Sequence, residues 1–280
     1  MPLKEDLLKI YDLVSHFSEG LAAVKQGEKY FHIKPDGAPA YEERFDWVLH
    51  FSEGLALVKQ ANQCFHIKPD GVPAYEERFN SVRSFSEGLA AVKQGKKCFH
   101  IKHDGTPAYE ERFDDSASFL EGLAAVKQFG QWFHIRPDGT SAYEERFGRV
   151  ESFFEGVAAA EQDGERFHIQ RDGTPAYKET FDLVSYFSEG LASVKQGKIW
   201  FHIKHDGTSA YEERFDWVSS FSEGLAAVKQ GKIWFHIKHD GTPAYEERFD
   251  VVQCFVKGLA VVKQNRKWFH IKFDGTPVQK

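Results

Sequence analysis

Apolar and polar positions recur along this chain every 34 residues. The segment FSEGLA, or a close variant, begins at Phe17, Phe51, Phe85, Phe119, Phe153, Phe187, Phe221 and Phe255. No copy gains or loses a residue. A full unit reads FSEGLAAVKQGKIWFHIKHDGTPAYEERFDWVSS. Within it, LAAVKQ and IWFHIK are short apolar runs joined by a glycine-containing turn, which predicts a β-hairpin. Alternation in the second run places Phe31 and Ile33 on one face and Tyr30, His32 and Lys34 on the other. The Phe and Ile never vary between copies, so their face is predicted to be core. The place of Tyr30 is filled in turn by Cys64, Cys98, Trp132, Arg166, Trp200, Trp234 and Trp268, and that tolerance predicts a half-open face. Asp36-Gly37 then marks a turn, since glycine takes positive φ at little cost.

The third segment, TPAYEERFDWV, reads either as a strand or as a short helix. Thr106 suits an N-cap, Pro107 a first helical residue and Glu110 a first-turn acid. Tyr41, Phe45 and Val48 follow helical spacing. A proline in six of the eight copies disfavours a central strand. The expectation is a hairpin followed by a short helix or helical turn in every unit.

Nine positions are identical in all copies: Phe17, Gly20, Ala22, Gln26, Phe31, His32, Ile33, Asp36 and Gly37 in the first. Units that cannot bury an apolar face alone must stack on their neighbours. The chain is therefore read as one repeat domain, residues 1–280, of β-rich class. The last copy stops after Pro277, short of its AYEERF segment. Residues 1–16 carry a degenerate version, with Leu7, Tyr11 and Val14 in register with Tyr41, Phe45 and Val48. That predicts closure into a propeller-like toroid, with residues 1–16 completing the eighth unit. The alternative is an open solenoid capped by this segment.

Composition narrows the functional classes. Net charge is −6, which disfavours nucleic acid as a partner. No apolar run approaches a membrane span and residues 1–14 lack a signal-peptide core, so a cytoplasmic monomer without membrane contact is expected. The three cysteines, Cys64, Cys98 and Cys254, follow no ligand spacing.

FSEGLAAVKQGKIW, an aromatic-rich strand, Asp-Gly and an aromatic residue before Asp together resemble the bacterial WG-repeat family. The resemblance runs from about Glu5 to Pro277. The name-giving dipeptide is altered: Trp132, Trp200, Trp234 and Trp268 are each followed by Phe rather than Gly. The resemblance implies a scaffold or interaction module without a general catalytic motif.

Candidate chemistry is sparse. Eight equivalent histidines, His32 to His270, suggest metal, anion or pH chemistry, but a partly buried residue bonded to a neighbouring unit is the favoured reading. The pairs His100/His103, His202/His205 and His236/His239 read as turn residues rather than metal ligands. The Asp-Gly acids read as turn formers. No nucleophile elbow or phosphate loop is present. Catalysis needs groups of unequal role, which near-equal units do not supply, so no enzyme, cofactor or metal is expected. Trp132, Trp200, Trp234 and Trp268 are the candidate contacts for a protein partner or, alternatively, for a small molecule or sugar bound as by a lectin. The fifth unit is the most divergent and the place for a unique site. There Glu161 replaces Lys and Lys178 replaces Glu, which predicts that Lys25 faces Glu42 within a unit and Glu161 faces Lys178.

Overall fold

The structure, a computed structural model, describes residues 4–278. The chain divides into two compact units, Met1–Ala142 and Tyr143–Lys280. In both, the repeated element is the same antiparallel three-stranded sheet, and eight such sheets occur among the described residues, none of them closed.

The first sheet shows the pattern. It follows a short helix, α1 (Lys4–Leu7), and contains β1 (Leu13–Ser18), β2 (Leu21–Gln26) and β3 (Lys29–Ile33). The expected hairpin is β2–β3, in which Val24 faces Phe31 and Lys25 faces Tyr30. The additional strand, β1, is drawn from the end of the preceding 34-residue period. It pairs Val14 with Val24 and Phe17 with Ala22 through a bulge. Glu19 and Gly20 make the β1–β2 turn with φ of 50° and 82°. Two successive positive φ values give the primed turn whose twist suits a tight hairpin.

The helix expected in TPAYEERF does not form. The segment runs beside β3 as an interrupted fourth edge. Ile33 opposes Pro39 and Tyr30 opposes Phe45. Unbroken pairing would set residue 42 against Tyr30, so three residues are looped out. Lys34 N–H donates to Ala38 O and Ala40 N–H to His32 O, at 2.8 and 2.9 Å, on either side of Pro39. Proline therefore sits where the ladder asks for no N–H, as an edge allows. Arg44 fills the loop, its Nη1 donating to the carbonyls of Tyr41, Glu42 and Glu43 at 3.1, 2.8 and 3.0 Å. These are acceptors that a helix would have satisfied with later N–H groups. The guanidinium also lies 3.7 Å from the Phe31 ring centre. Among the described residues, only the N-terminal version of the segment is helical, in α1.

The core is built between successive sheets. Phe31 and Ile33 are buried, as are their equivalents Phe65 and Ile67. Tyr41, buried, covers Gly71 of the following sheet. A Cβ on Gly71 would stand 2.7 Å from Tyr41 Cγ, and its φ is +84°. The invariant glycine of Asp-Gly thus has no room for a side chain and a backbone that disfavours one.

Of the closing segment expected over residues 1–16, residues 1–3 lie outside the described residues. The rest packs onto the first sheet as Tyr41 and Phe45 pack onto the second. Leu7 and Tyr11 are buried, Leu7 covers Gly37, and Tyr11 O–H donates to Gly37 O at 2.9 Å.

Candidate functional site

Six of the eight repeat histidines are tied into the fold at both ring nitrogens. His32 stands on β3 and is fully buried. Its Nε2 lies 2.8 Å from Leu49 O, on the first strand of the next sheet, β4 (Trp47–Ser52). A carbonyl only accepts, so the proton sits on Nε2, and the Tyr41 hydroxyl donates to Nδ1. His66, His100, His168, His202 and His236 repeat both bonds. Burial lowers the pKa of each of these six to about 4. The same burial raises their tyrosine partners well above the usual phenol value. The eighth, His270, is exposed.

The HxxH pairs do not converge. His103 stacks on Phe85 with ring centres 4.2 Å apart, while His100 points to Tyr109 and Ala117. His205 and His239 stack on Phe187 and Phe221 in the same way. The Asp-Gly acids accept from their own turns, as in Asp104 Oδ1 with Thr106 N–H at 3.0 Å. No group of three His, Cys, Asp or Glu side chains suited to a metal occurs among the described residues.

The FSEG motif proves to be lacing between sheets. Ser18 Oγ donates to Phe51 O at 2.9 Å, and Ser52 repeats this to Phe85 O at 3.0 Å. Glu19 Oε2 accepts from Gly54 N–H, and Glu53 Oε2 from Gly88 N–H, each at 2.9 Å. Residues 155–258 repeat the Glu–Gly link three times.

The charge pairing expected from the fifth unit is not found. Among the described residues no ion pair joins Lys25 to Glu42 or Glu161 to Lys178. Lys25 lies over Tyr30, 5.8 Å from the ring centre, because the two face each other across β2 and β3. Glu161 faces Arg166 in that same register and pairs with it at 2.9 Å. The compensating change is therefore at the tolerant aromatic position, where cross-strand neighbours meet.

That position also holds the candidate tryptophans, each on its own sheet. Lys127, Lys229 and Lys263 lie over Trp132, Trp234 and Trp268, at 5.9, 5.7 and 5.6 Å from the ring centres. Trp268 is 53% exposed, while the other three are half-buried. Trp200 lines an open groove of about 600 Å³ together with Trp217 and Tyr186. Trp217 in turn meets Trp234, with ring centres 5.2 Å apart. The groove floor carries Ser188, Ser193 and Ser219. The equivalent groove in the first unit, about 540 Å³, has Trp47 and Cys64 in place of Leu183 and Trp200. Trp217, Tyr186 and the serines escaped the sequence reading. Trp217 lies 17 residues after Trp200 and Tyr186 14 residues before it, and only the folded register brings them together.

The family model described as WG containing repeat matches residues 8–30, 36–64, 74–98, 169–200, 203–234 and 237–268, more than half of the chain. No curated protein matches the sequence. Among solved structures, a crystal structure titled as the eukaryotic initiation factor is similar with a TM-score of 0.64 at 10% identity, over 95% of this chain and 86% of that one. Hsv2 of Kluyveromyces lactis matches with a TM-score of 0.44 at 12% identity, over 95% of this chain and 98% of that one. At such identities the likeness is one of fold, with propeller-like neighbours.

Proposed function

This chain belongs to the WG-repeat family, and from that premise we propose that it is a non-enzymatic scaffold that binds a protein partner. The observation that carries this reading is the groove in which Trp200, Trp217 and Tyr186 stand over serines. Tryptophan and tyrosine provide large contact area with few rotors to freeze, and serine provides adaptable hydrogen bonding. The conspicuous polar candidates are meanwhile spent on the fold. Six buried histidines are bonded at both nitrogens, and no buried side-chain nitrogen or oxygen among the described residues lacks a partner. The net charge of −6 favours a protein over nucleic acid. The proposed setting is a cytoplasmic monomer without metal or cofactor.

The test is photo-cross-linking from residue 220, beside the groove, in native lysate. The expected result is a discrete cross-linked protein that disappears in the Trp200→Ala/Trp217→Ala double variant. A cross-linking pattern indifferent to that variant overturns the reading.

The same groove favours one second reading. Aromatic rings beside hydroxyls also suit the apolar and polar faces of a sugar. A glycan array separates the two: saturable glycan binding that is lost in the double variant supports a lectin-like module.

A further inference from the structure

The fifth sheet holds a second cavity, larger than its counterpart in the third sheet. It measures about 350 Å³ and is lined by Arg149, Glu151, Ala160, Glu161, Arg166 and Leu183 among others. The repeat-equivalent cavity in the third sheet is only about 90 Å³. One lining residue is smaller in the fifth sheet than in the third. Ala160 replaces a valine present in the other seven copies, including Val92. Arg166 stands where Cys98 stands in the third sheet and where other copies carry Trp, Cys or Tyr. The enlarged space is the size of a small-molecule pocket.

Its walls are charged and balanced. Arg149 Nε donates to Glu151 Oε1 at 2.8 Å. Arg166 Nε donates to Glu161 Oε2 at 2.9 Å, and its Nη1 to Asp182 O at 3.0 Å, which fixes the guanidinium plane. Each guanidinium has five N–H donors, so both keep donors beyond these bonds. A simple anion entering the cavity meets two carboxylates, and a simple cation meets two guanidiniums. A ligand carrying both signs meets an opposite charge at each end, with the carboxylate forked by arginine. We propose that the cavity of the fifth sheet binds a free amino acid, its carboxylate on Arg149 or Arg166 and its ammonium on Glu161 or Glu151. This site adjoins the Trp200 groove, with which it shares Leu183 and Val184, but carries a different ligand class.

The experiment is calorimetric titration of the full chain with each of the twenty standard L-amino acids. The control is the Ala160→Val/Arg166→Trp variant, which restores residues that neighbouring sheets carry and so keeps the fold. The expected result is saturable binding of at least one amino acid, weakened at least tenfold in the variant. Melting temperature in the absence of ligand verifies that the variant is folded. Absence of binding by all twenty overturns the proposal, as does equal binding by the variant. Acetate or methylammonium binding as tightly as the best amino acid also overturns it, since the site then reads only one charge.

Discussion

Glu87 Oε2 accepts a hydrogen bond from the backbone N–H of Gly122, thirty-five residues further on, at 2.8 Å. Each is the turn residue of its own sheet, so this bond ties one hairpin turn to the next. Glu87 holds a φ of +55° to reach it. A glutamate in the left-handed region is strained; the primed turn imposes that conformation, at Lys257 too with φ of 54°, and the bond offsets part of its cost. The eighth copy of the turn has Lys257, whose ammonium cannot accept. Glu87→Ala keeps the strain and loses a charge-assisted bond at an exposed site, so it is expected to cost about 1–2 kcal/mol. Glu87→Gly loses the bond but relieves the φ, and is expected to cost less than the alanine. Urea unfolding of the pair gives the order, and an alanine no worse than glycine contradicts this account.

The contrast between this motif and the strand residues shows what the sequence makes legible. The faces of Phe31 and Ile33 followed from period-2 alternation, and the Asp-Gly turn from local backbone chemistry. The glycine of FSEG takes its positive φ in the β1–β2 turn, a property of one residue. The serine and glutamate were not readable, because their partners lie 33 and 35 residues away and no local pattern encodes a register between sheets. The AYEER segment misled for a related reason. Its 3–4 spacing and first-turn proline are helix signals, but its carbonyls are taken by Arg44 and its ends by β3. The tryptophans were correctly read as tolerant, half-open positions. The neighbours that make a groove around Trp200 became visible only in the folded register.

Gly105 tests the packing of the Asp-Gly turns. Its φ is +83°, and an added Cβ would stand 2.6 Å from Tyr75 Cγ. Gly105→Ala therefore combines backbone strain with a clash against a ring that is itself bonded to His66. The expected loss is about 2–5 kcal/mol, from overpacking of about 1–3 and a left-handed penalty of about 1–2. Gly95→Ala, also at positive φ but with open space around the Cβ, is the control and is expected to cost about 1 kcal/mol. Equal melting temperatures for the two variants would falsify the packing role.

The arginine that fills the looped-out edge offers a test in both directions. Arg112 Nη1 donates to the carbonyls of Tyr109, Glu110 and Glu111, and the guanidinium lies 4.0 Å from the Phe99 ring centre. Arg112→Lys loses the planar stack and the fork, and is expected to cost about 1–2 kcal/mol. The fifth unit is a natural experiment, since Thr180 stands in the arginine's place and Phe167 below it is only half-buried, where Phe99 is buried. Thr180→Arg is accordingly expected to raise stability by about 1 kcal/mol. A thermal melt unchanged by both substitutions would contradict the assigned role.

The buried histidines set a pH dependence whose sign follows from their bonds. In the folded chain His100 donates from Nε2 to Ala117 O and accepts from the Tyr109 hydroxyl at Nδ1, so protonation breaks the second bond and charges a buried ring. Burial, which disfavours the charged ring, lowers its pKa from 6.5 to about 4. A lowered folded value means that the unfolded chain takes up the proton first. Stability is therefore full above pH 6.5, declines as the pH drops towards 4, and loses nothing further from this group below that. At about 1.4 kcal/mol per unit, one such histidine accounts for on the order of 3 kcal/mol across the window. Six share the arrangement, so acid unfolding between pH 6 and 4 is expected to be steep and to take up several protons. Tyr109→Phe removes the donor to Nδ1 and is expected to cost about 1–3 kcal/mol at pH 7. The penalty should shrink towards pH 4, where the wild-type bond is itself giving way to protonation. Urea midpoints measured from pH 7 down to pH 4 on wild type and Tyr109→Phe decide the matter. Parallel curves would mean that the tyrosine does not hold the histidine neutral.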